Sequence, residues 1–234
     1  MKTYEVNALL KPVVRVNDAG SGIIVYSKAG LTLVLTNAHV VEDLIEDPDD
    51  LEDTPFVSVD RFKYEKNGKL IGYFRTRAEI VAFDDANDLA MLRLRDKKVQ
   101  KHVVNLPTDD ELSDIGVFDD VYIIGCPLRG SPMPSKGTIS AINVEFDNKE
   151  YWMTSAPIVW GNSGGGCFKY INDNYVVIGV PTAVDSTMEI TEHKIPQAIV
   201  PHLNYIVPPY RLRHFVDYVL ELLLEEKDEL LSDK

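Results

Sequence analysis

Short apolar runs separated by turn residues dominate the pattern of hydrophobic and polar positions along the chain. The runs that resemble strands are VVRV, GIIVYS, LTLVLTN, FVSV, LIGYF, AEIVAF, LAMLRL, VYIIG, GTISAINV, YWMTSA and YVVIGV. Runs of this length, bounded by Gly, Pro, Asn and Asp, are typical of β-strands. Because no long helical pattern lies between them, they predict antiparallel β-structure and an all-β fold class.

The pattern changes at Pro209. From there to Lys234 helix-forming residues dominate, and apolar side chains recur at spacings of three and four: Leu212, Phe215, Val216, Val219, Leu220 and Leu223. This spacing predicts a C-terminal amphipathic α-helix over 209–234 whose apolar face packs on the β-structure. The acidic, proline-interrupted segment 42–55 instead predicts a solvent-exposed loop, and it lacks the central glycine of an EF-hand.

Composition and charge narrow the class of protein. Apolar residues make up 45% and charged residues 26% of the 234 positions, which is ordinary for a globular chain that folds as one domain. The formal net charge of −13 disfavours nucleic acid and anionic membrane surfaces, because binding phosphate groups requires a basic face.

The N-terminal segment, the length of the apolar runs and the cysteines indicate where in the cell the protein is located. The opening MKTYEVNALLKPVVRV lacks the apolar core of a signal peptide, and no run approaches the roughly 20 apolar residues of a transmembrane helix. Cys126 and Cys167 are the only cysteines, which favours a reducing compartment. We therefore expect a soluble, cytoplasmic protein with two inert buried thiols, although a bridge between Cys126 and Cys167 stays open.

The strongest chemical signal is GNSGGG at 161–166, a serine set among glycines after the apolar segment APIVW. Glycines permit a tight backbone in which neighbouring N–H groups converge on a developing oxyanion. We predict that Ser163 is a nucleophile and that Gly161, Asn162 and Ser163 form an oxyanion hole, with the N–H groups of Gly161 and Ser163 as donors. A phosphate loop is disfavoured because no lysine follows the glycines.

A serine nucleophile needs a base and an orienting carboxylate. His39 follows the strand LTLVLTN, and Asp88 precedes the strand LAMLRL. Taken singly, His39 could be a packed histidine, Asp88 a turn residue and the glycine run a hairpin. Together, in the order His, Asp, Ser, they match the chymotrypsin arrangement, and we predict His39, Asp88 and Ser163 as a catalytic triad.

The segments 20–24 (GSGII), 35–41 (LTNAHVV), 88–90 (DLA) and 161–165 (GNSGG) resemble, in the same order, the motifs of trypsin-like serine proteases of the HtrA/Deg type. The segment 204–208 (NYIVP) is similar to the one that closes their protease domain. The resemblance implies a chymotrypsin-like double six-stranded β-barrel with the triad in the cleft between the barrels. It also implies an endopeptidase that needs neither a metal nor an organic cofactor.

The resemblance covers the protease domain only, with no PDZ domain. We expect one domain over 1–234, with the first barrel at about 1–105, the second at about 106–208 and the helix at 209–234. In this fold two segments line the pocket for the substrate side chain: Pro157, Ile158, Val159, Trp160, Val180, Pro181, Thr182 and Ala183. No aspartate lies in 157–160, so we predict a preference for small or medium aliphatic residues over basic ones.

Three functions compete at this point. The favoured one is a serine endopeptidase that hydrolyses peptide bonds through an acyl-enzyme on Ser163, with His39 as general base and then general acid. The alternative is a catalytically silent peptide-binding module of the same fold. An ester or lipid hydrolase is disfavoured because no long helical pattern follows Ser163, as the strand-to-helix elbow of those enzymes requires, although GNSGG at 161–165 has the spacing G-x-S-x-G,. We expect a protein or peptide substrate as partner, with no nucleic acid and no membrane, and the oligomeric state is open.

The remaining histidines offer no second site. His102, His193, His202 and His214 show neither the H-E-x-x-H spacing of a zinc protease nor a cluster with cysteine,. We therefore predict surface or packing roles for all four and no metal site.

Overall fold

The computed structural model describes residues 2–52, 54–146, 148–184 and 204–232. The first of its two β-barrels has the strand order β1-β2-β3-β6-β5-β4, and β4 pairs with β1 to close it. Its six strands are antiparallel. They are β1 (Val13–Val16), β2 (Gly20–Lys28), β3 (Leu31–Thr36), β4 (Val57–Tyr64), β5 (Leu70–Asp84) and β6 (Leu89–Leu94).

The second barrel repeats this plan with the order β10-β11-β12-β9-β8-β7, and β7 pairs with β10 to close it. Its strands are β7 (Asp120–Gly125), β8 (Met133–Phe146), β9 (Lys149–Thr154), β10 (Gly166–Ile171), β11 (Asn174–Val184) and β12 (Asn204–Val207). The all-β prediction, the chymotrypsin-like pair of six-stranded barrels and the C-terminal helix are therefore confirmed.

Helices are few and lie at the edges of the barrels. α1 (Lys2–Glu5) runs into a single wide turn, Val6–Leu10, and α2 (Asp109–Ser113) begins at a capping box between Thr108 and Glu111. α3 (Pro209–Ser232) ends the described chain. Ala38–Val40 and Glu42–Leu44 form one-turn 3₁₀ segments, and Pro127–Arg129 forms a single turn in which Leu128 has non-helical dihedral angles.

The largest apolar cluster lies between the barrels and under α3. It combines side chains of both sheets, such as Leu35, Met91 and Val177, with the buried face of the helix: Leu212, Phe215, Val216 and Val219. The predicted periodicity of α3 is thus explained by burial on one stripe only. None of the helices in the described part of the chain combines the length and the apolar character needed to cross a membrane.

The structure differs from the sequence prediction at four places. LIGYF and AEIVAF belong to one continuous strand, β5, because the polar residues between them lie on an exposed ribbon that pairs with β4. The strands β10 and β12 were not among the predicted runs. The N-terminal helix α1 and the turn after it were also missed, and α1 contacts the second barrel, where Tyr4 stacks on Tyr175 with ring centroids 5.8 Å apart.

Both cysteines are free and buried, as expected for inert thiols, so the bridge between Cys126 and Cys167 is not formed. Burial raises the pKa of the Cys126 thiol to about 12, and a thiol with so high a pKa is unreactive at neutral pH. The acidic segment 42–55 is mostly exposed, with Leu44, Ile45 and Leu51 packed partly against the first barrel.

Candidate active site

His39 and Asp88 meet because their strands pair. β3 and β6 are neighbours in the first barrel, with Thr36 opposite Ala90, so the residue group after β3 faces the residue before β6. Nδ1 of His39 lies 2.9 Å from Oδ1 and 3.0 Å from Oδ2 of Asp88. The main-chain N–H of His39 donates to the same carboxylate at 3.1 Å. The imidazole is therefore fixed through Nδ1, and Nε2 faces away from the carboxylate.

Asp88 is held from its own backbone and from the second barrel. It adopts a left-handed conformation with φ 53°, and the Asn37 amide donates to its carbonyl at 2.8 Å. The hydroxyl of Thr182, on β11, donates to Oδ2. Thr182 had been predicted as a pocket residue, and its contact with the carboxylate was missed; a polar residue inside the apolar run YVVIGVPTAV is the signal that could have revealed it.

The environment of His39 favours its charged form. Partial burial by itself favours the neutral ring, but the hydrogen bond and the negative charge of Asp88, together with Glu42, outweigh burial and raise the pKa of His39 above its ordinary value. This is the expected consequence of an imidazole paired with a carboxylate. The arrangement stabilises an imidazolium ion once His39 has accepted a proton.

Ser163 lies in an irregular loop, 155–165, between β9 and β10. The main-chain N–H of Ser21, on β2, donates to the carbonyl of Ser163 at 2.7 Å, and Gly164 N–H donates to the carbonyl of Pro181 at 3.2 Å. Gly164 has φ +82°, and a Cβ there would lie 2.1 Å from the Ser21 carbonyl. Only glycine fits at this position, and the close approach fastens the serine loop to the first barrel.

The bond from the serine to the histidine is not made in this structure. Among the residues that the structure describes, neither Oγ of Ser163 nor Nε2 of His39 takes part in a hydrogen bond. Such a bond is often long or absent without substrate and forms when the complex tightens.

The backbone before Ser163 forms a turn with two unpaired donors. Asn162 N–H donates to the carbonyl of Val159 at 3.0 Å, and Gly161 has φ +96°, as in a type II turn. In the described part of the chain, the N–H groups of Gly161 and Ser163 have no backbone acceptor. Asn162, predicted as a member of the oxyanion hole, instead uses its N–H to close this turn, so the free donors are those of Gly161 and Ser163.

Two neighbouring carbonyl groups are held away from these donors. The Trp160 carbonyl accepts from the N–H of Leu128 at 2.7 Å, and the Gly161 carbonyl accepts from the hydroxyl of Ser21 at 2.6 Å. In a trans peptide the C=O and N–H point in opposite directions. The Gly161 N–H therefore points away from Leu128. Sequence reasoning missed the roles of Ser21 and Leu128, since both act through contacts between distant segments.

The predicted pocket residues fall into several environments. Ile158 is 3% exposed in the core of the second barrel, and Val180 is fully buried in the cluster between the barrels. Pro181 is buried, whereas Pro157 is exposed and Val159 half-buried. Trp160 is 69% exposed. The side chain of Ala183 lies outside the described residues, and the geometry of the pocket stays a prediction.

His102 and His214 lie apart from this group. His102 is half-buried in the segment after β6, where burial and the nearby Lys11 and Lys101 lower its pKa, and His214 is exposed on α3. His193 and His202 fall outside the described residues.

Comparisons with known proteins agree on one family of proteins. The family described as "Trypsin-like peptidase domain" matches residues 20–180. The magnetosome formation protease MamE of Magnetospirillum gryphiswaldense is 30% identical over 72% of this chain and 19% of its own length. The serine endoprotease DegS of Haemophilus influenzae is 30% identical over 83% of this chain and 48% of its own length. The chain thus spans about half or less of these relatives.

A solved structure supports the fold. The HtrA-type protease AlgWS227A with tripeptide superposes with a TM-score of 0.66 at 20% identity, over 94% of this chain and 64% of that chain. At this level of identity the match concerns the arrangement of the two barrels.

Proposed function

The chain belongs to the trypsin-like peptidase domain family, and we propose that it is a serine endopeptidase that acts through an acyl-enzyme on Ser163. One observation carries the proposal: Nδ1 of His39 lies within hydrogen-bond distance of both carboxylate oxygens of Asp88. With Nδ1 so engaged, Nε2 is the nitrogen available to a hydroxyl. The names of the relatives, serine endoprotease and protease, support the same activity.

In the proposed acylation step, Oγ of Ser163 attacks the carbonyl carbon of the scissile peptide bond while its proton passes to Nε2 of His39. The carbonyl oxygen becomes an oxyanion and accepts from the N–H groups of Gly161 and Ser163. Asp88 stabilises the imidazolium ion. His39 then gives its proton to the leaving amine, and the carbon–nitrogen bond breaks to leave an ester on Ser163.

In the proposed deacylation step, His39 takes a proton from water, and the resulting hydroxide attacks the ester carbonyl. The same two N–H groups hold the second oxyanion. The proton returns from His39 to Oγ of Ser163 as the ester bond breaks, which releases a carboxylic acid and restores the enzyme. These steps consume one water for each peptide bond and need no metal or organic cofactor.

The test is the replacement Ser163→Ala. We expect the parent to cleave casein and to be labelled by a fluorophosphonate, and the variant to do neither, because the nucleophilic oxygen is gone. The matched control is Ser113→Ala, whose hydroxyl donates to the Asp110 carbonyl in α2 and should not affect turnover. Casein cleavage by Ser163→Ala at the parent's rate would reject the assignment of Ser163.

A catalytically silent peptide-binding module remains the second candidate, and one observation favours it: Ser163 and His39 are not hydrogen-bonded among the described residues. A silent module binds peptides without forming an acyl-enzyme. A parent protein that binds a peptide with measurable affinity yet stays unlabelled by the fluorophosphonate would support this candidate over the endopeptidase.

We propose a preference for small or medium aliphatic side chains at the position before the scissile bond. The support is the apolar, aspartate-free segment 157–160, since a basic side chain needs a carboxylate partner in a dry pocket. Profiling with a mixed peptide library should show Ala, Val or Leu at this position. A profile dominated by Arg or Lys contradicts the proposal.

Three further expectations are proposals of the same kind. Residues 1–234 act as one protease domain. The partner of this domain is a protein or peptide rather than nucleic acid or a membrane. The protein is located in the cytoplasm. The net charge of −13 supports the proposal that the partner is not nucleic acid, because binding phosphate groups requires a basic face,. Fractionation of cells that express the full-length protein tests the location directly.

A further inference from the structure

The loop 126–130 lies directly against the turn that carries the oxyanion donors. Leu128 N–H donates to the Trp160 carbonyl at 2.7 Å, and a Cβ added at Gly161 would lie 2.4 Å from the Cys126 carbonyl. The position of this loop therefore decides the direction of the peptide group between Trp160 and Gly161, because a trans peptide that turns its C=O also turns its N–H.

The backbone of this loop needs outside support. Leu128 has φ 51° and Arg129 has φ 64°, so two successive residues with side chains adopt the left-handed conformation. Each such residue costs about 1–2 kcal/mol relative to its favoured conformations. The only hydrogen bond that closes the loop on itself, within the described residues, runs from Gly130 N–H to the Pro127 carbonyl. A conformation of this kind persists when its surroundings hold it.

Arg15, on β1 of the first barrel, provides that support. Its Nη1 donates to the Arg129 carbonyl at 2.5 Å. Its Nε and Nη2 donate to Oδ2 of Asp60 at 3.1 and 2.5 Å. The guanidinium is planar and rigid, so fixing one edge on Asp60 aims the other edge at the loop. Lysine, with one compact ammonium group, cannot reproduce this two-sided geometry.

Asp60 is a rigid anchor for this arginine. It is 1% exposed, and Arg75 donates to its two oxygens at 2.8 and 2.9 Å from the neighbouring strand β5. Burial opposes the charge, but the hydrogen bonds from Arg75 and Arg15 outweigh it and hold the pKa of Asp60 below its ordinary value. Arg75 shares the anchor with Arg15, and among the described residues its side chain donates to Asp60 and Asp18 rather than to the loop.

We propose that Arg15 is a positioning residue for the oxyanion hole. Anchored on Asp60, it holds the Arg129 carbonyl and with it the left-handed pair Leu128 and Arg129. The loop then presents the Leu128 N–H to the Trp160 carbonyl and keeps the Gly161 N–H free for the oxyanion. This inference rests on the proposed function for its effect on catalysis, but the contacts from Arg15 to the loop can be tested without it.

The experiment compares Arg15→Lys with Arg75→Lys. Both arginines bind the carboxylate of Asp60, and both are replaced by lysine. In Arg15→Lys the amide of Leu128 should exchange with deuterium at least about tenfold faster than in the parent, because its hydrogen bond to Trp160 is no longer held. In Arg75→Lys that amide should exchange at the parent's rate. Amides in β3 and β6 report global unfolding in both variants and separate a local effect from a loss of stability.

Kinetics supply the second measurement. Loss of one oxyanion donor typically costs about 10²–10³ in kcat, and Arg15 acts on that donor indirectly. We therefore expect kcat to fall about 10–100-fold in Arg15→Lys with KM changed by less than about threefold. A peptide boronate, which places an oxygen in the hole, should lose affinity in parallel, while the cleaved product peptide should bind as before. Arg75→Lys should retain kcat within about twofold.

The outcomes separate the two proposals. Equal Leu128 exchange in the parent and in Arg15→Lys overturns the positioning role, whatever the activity. A parent that neither cleaves peptides nor reacts with a fluorophosphonate overturns the proposed function, while faster Leu128 exchange in Arg15→Lys alone still supports the contact from Arg15 to the loop. Equal kcat for the two lysine variants contradicts the catalytic effect.

Discussion

His39 and Asp88 are positioned by strand pairing, whereas Ser163 is positioned by hydrogen bonds between loops. The positions of His39 and Asp88 follow from the register of β3 and β6, in which several successive residue pairs fix the same alignment of the two strands. The serine loop depends on single contacts, chiefly from Ser21 and from the loop 126–130. A redundant ladder tolerates the loss of one bond, but a loop held at a few points does not. The two halves of the proposed site should therefore fail in different ways.

The largest expected effect comes from Asp88→Asn. The amide nitrogen would donate to Nδ1 of His39 and force the ring into the tautomer that carries its proton on Nε2, where it cannot accept the proton of Ser163. We expect kcat to fall about 10⁴-fold, with little change in the free energy of unfolding. Steady-state kinetics and urea unfolding measure the two quantities.

The matched control for this prediction is Asp85→Asn, an exposed aspartate in the same connection between β5 and β6. It should retain the parent's kcat. Comparable losses in the two variants would show that the connection as a whole, rather than the carboxylate of Asp88, matters.

The second-largest effect comes from steric overlap in the loop that carries Ser163. In Gly164→Ala the added methyl group would lie 2.1 Å from the Ser21 carbonyl and 2.4 Å from Oγ1 of Thr36, at φ +82°. Overlap and left-handed strain together should lower the free energy of unfolding by about 3 kcal/mol. Urea unfolding measures this change. Gly116→Ala, where nothing lies within 4 Å of the new methyl group, should change it by less than about 0.5 kcal/mol.

The third effect separates stability from positioning. Ser21→Ala removes the hydroxyl that donates to the Gly161 carbonyl and accepts from Cys126 N–H at 2.7 Å. The lost bonds and the unpaired buried groups should cost about 2 kcal/mol of stability. Because the Gly161 peptide loses a support, kcat should also fall by about tenfold or more.

Ser27→Ala is the control on the same strand. Its buried hydroxyl bonds Oγ1 of Thr32 at 2.7 Å and accepts from Gln100 N–H at 2.8 Å, far from the serine loop. It should lose similar stability in urea unfolding yet keep the parent's kcat. If both serine variants lost kcat equally, the loop contact would have no special role.

The smallest effect is a shift with pH. His39 must be neutral to act as a base, and its pKa is raised by Asp88 above the ordinary value of 6.5, so the acid limb of kcat/KM should lie above pH 6.5. The stabilisation from the charged ring is complete below the unfolded pKa and is lost as the pH rises through the folded pKa. NMR titration of the His39 ring protons measures the folded value.

In Asp88→Asn the pKa of His39 should fall below its ordinary value, because burial then acts with less opposition,. His102 offers the internal reference, since burial and nearby lysines lower its pKa and none of these causes involves Asp88. An unchanged His39 titration in Asp88→Asn contradicts the electrostatic account.

Sequence reasoning was most successful where the pattern is local. Apolar runs bounded by turn residues revealed most strands, and spacing of three and four revealed α3. It failed at β10, GCFKYI, because that strand starts within the glycine run, at Gly166, and alternates weakly. It also failed at β5, where the exposed polar stretch is stabilised by pairing with β4 rather than by burial.

The same distinction applies to the site. His39, Asp88 and Ser163 stand in recognisable local contexts, so sequence alone could propose them. Thr182, Ser21, Leu128 and Arg15 act through contacts with residues far away in the chain, several of them with main-chain atoms. Every residue has a main-chain carbonyl, so the sequence does not show which carbonyl a side chain binds, and these roles become apparent only in the folded structure. Asn162 illustrates the converse, since its place in the motif suggested a donor whose N–H closes a turn instead.

The bonds from Ser21 to the serine loop also set an order of events during synthesis. A ribosome makes the strands next to His39 and Asp88 before it makes Ser163, because Ser163 follows both residues in the chain. The proposed nucleophile can reach its partners on β2 only after the second barrel has emerged and docked, because domains fold from the N-terminal side as they appear. The growing chain thus lacks the proposed hydrolytic activity until the second barrel has been made, which protects the first barrel from cleavage by the same chain.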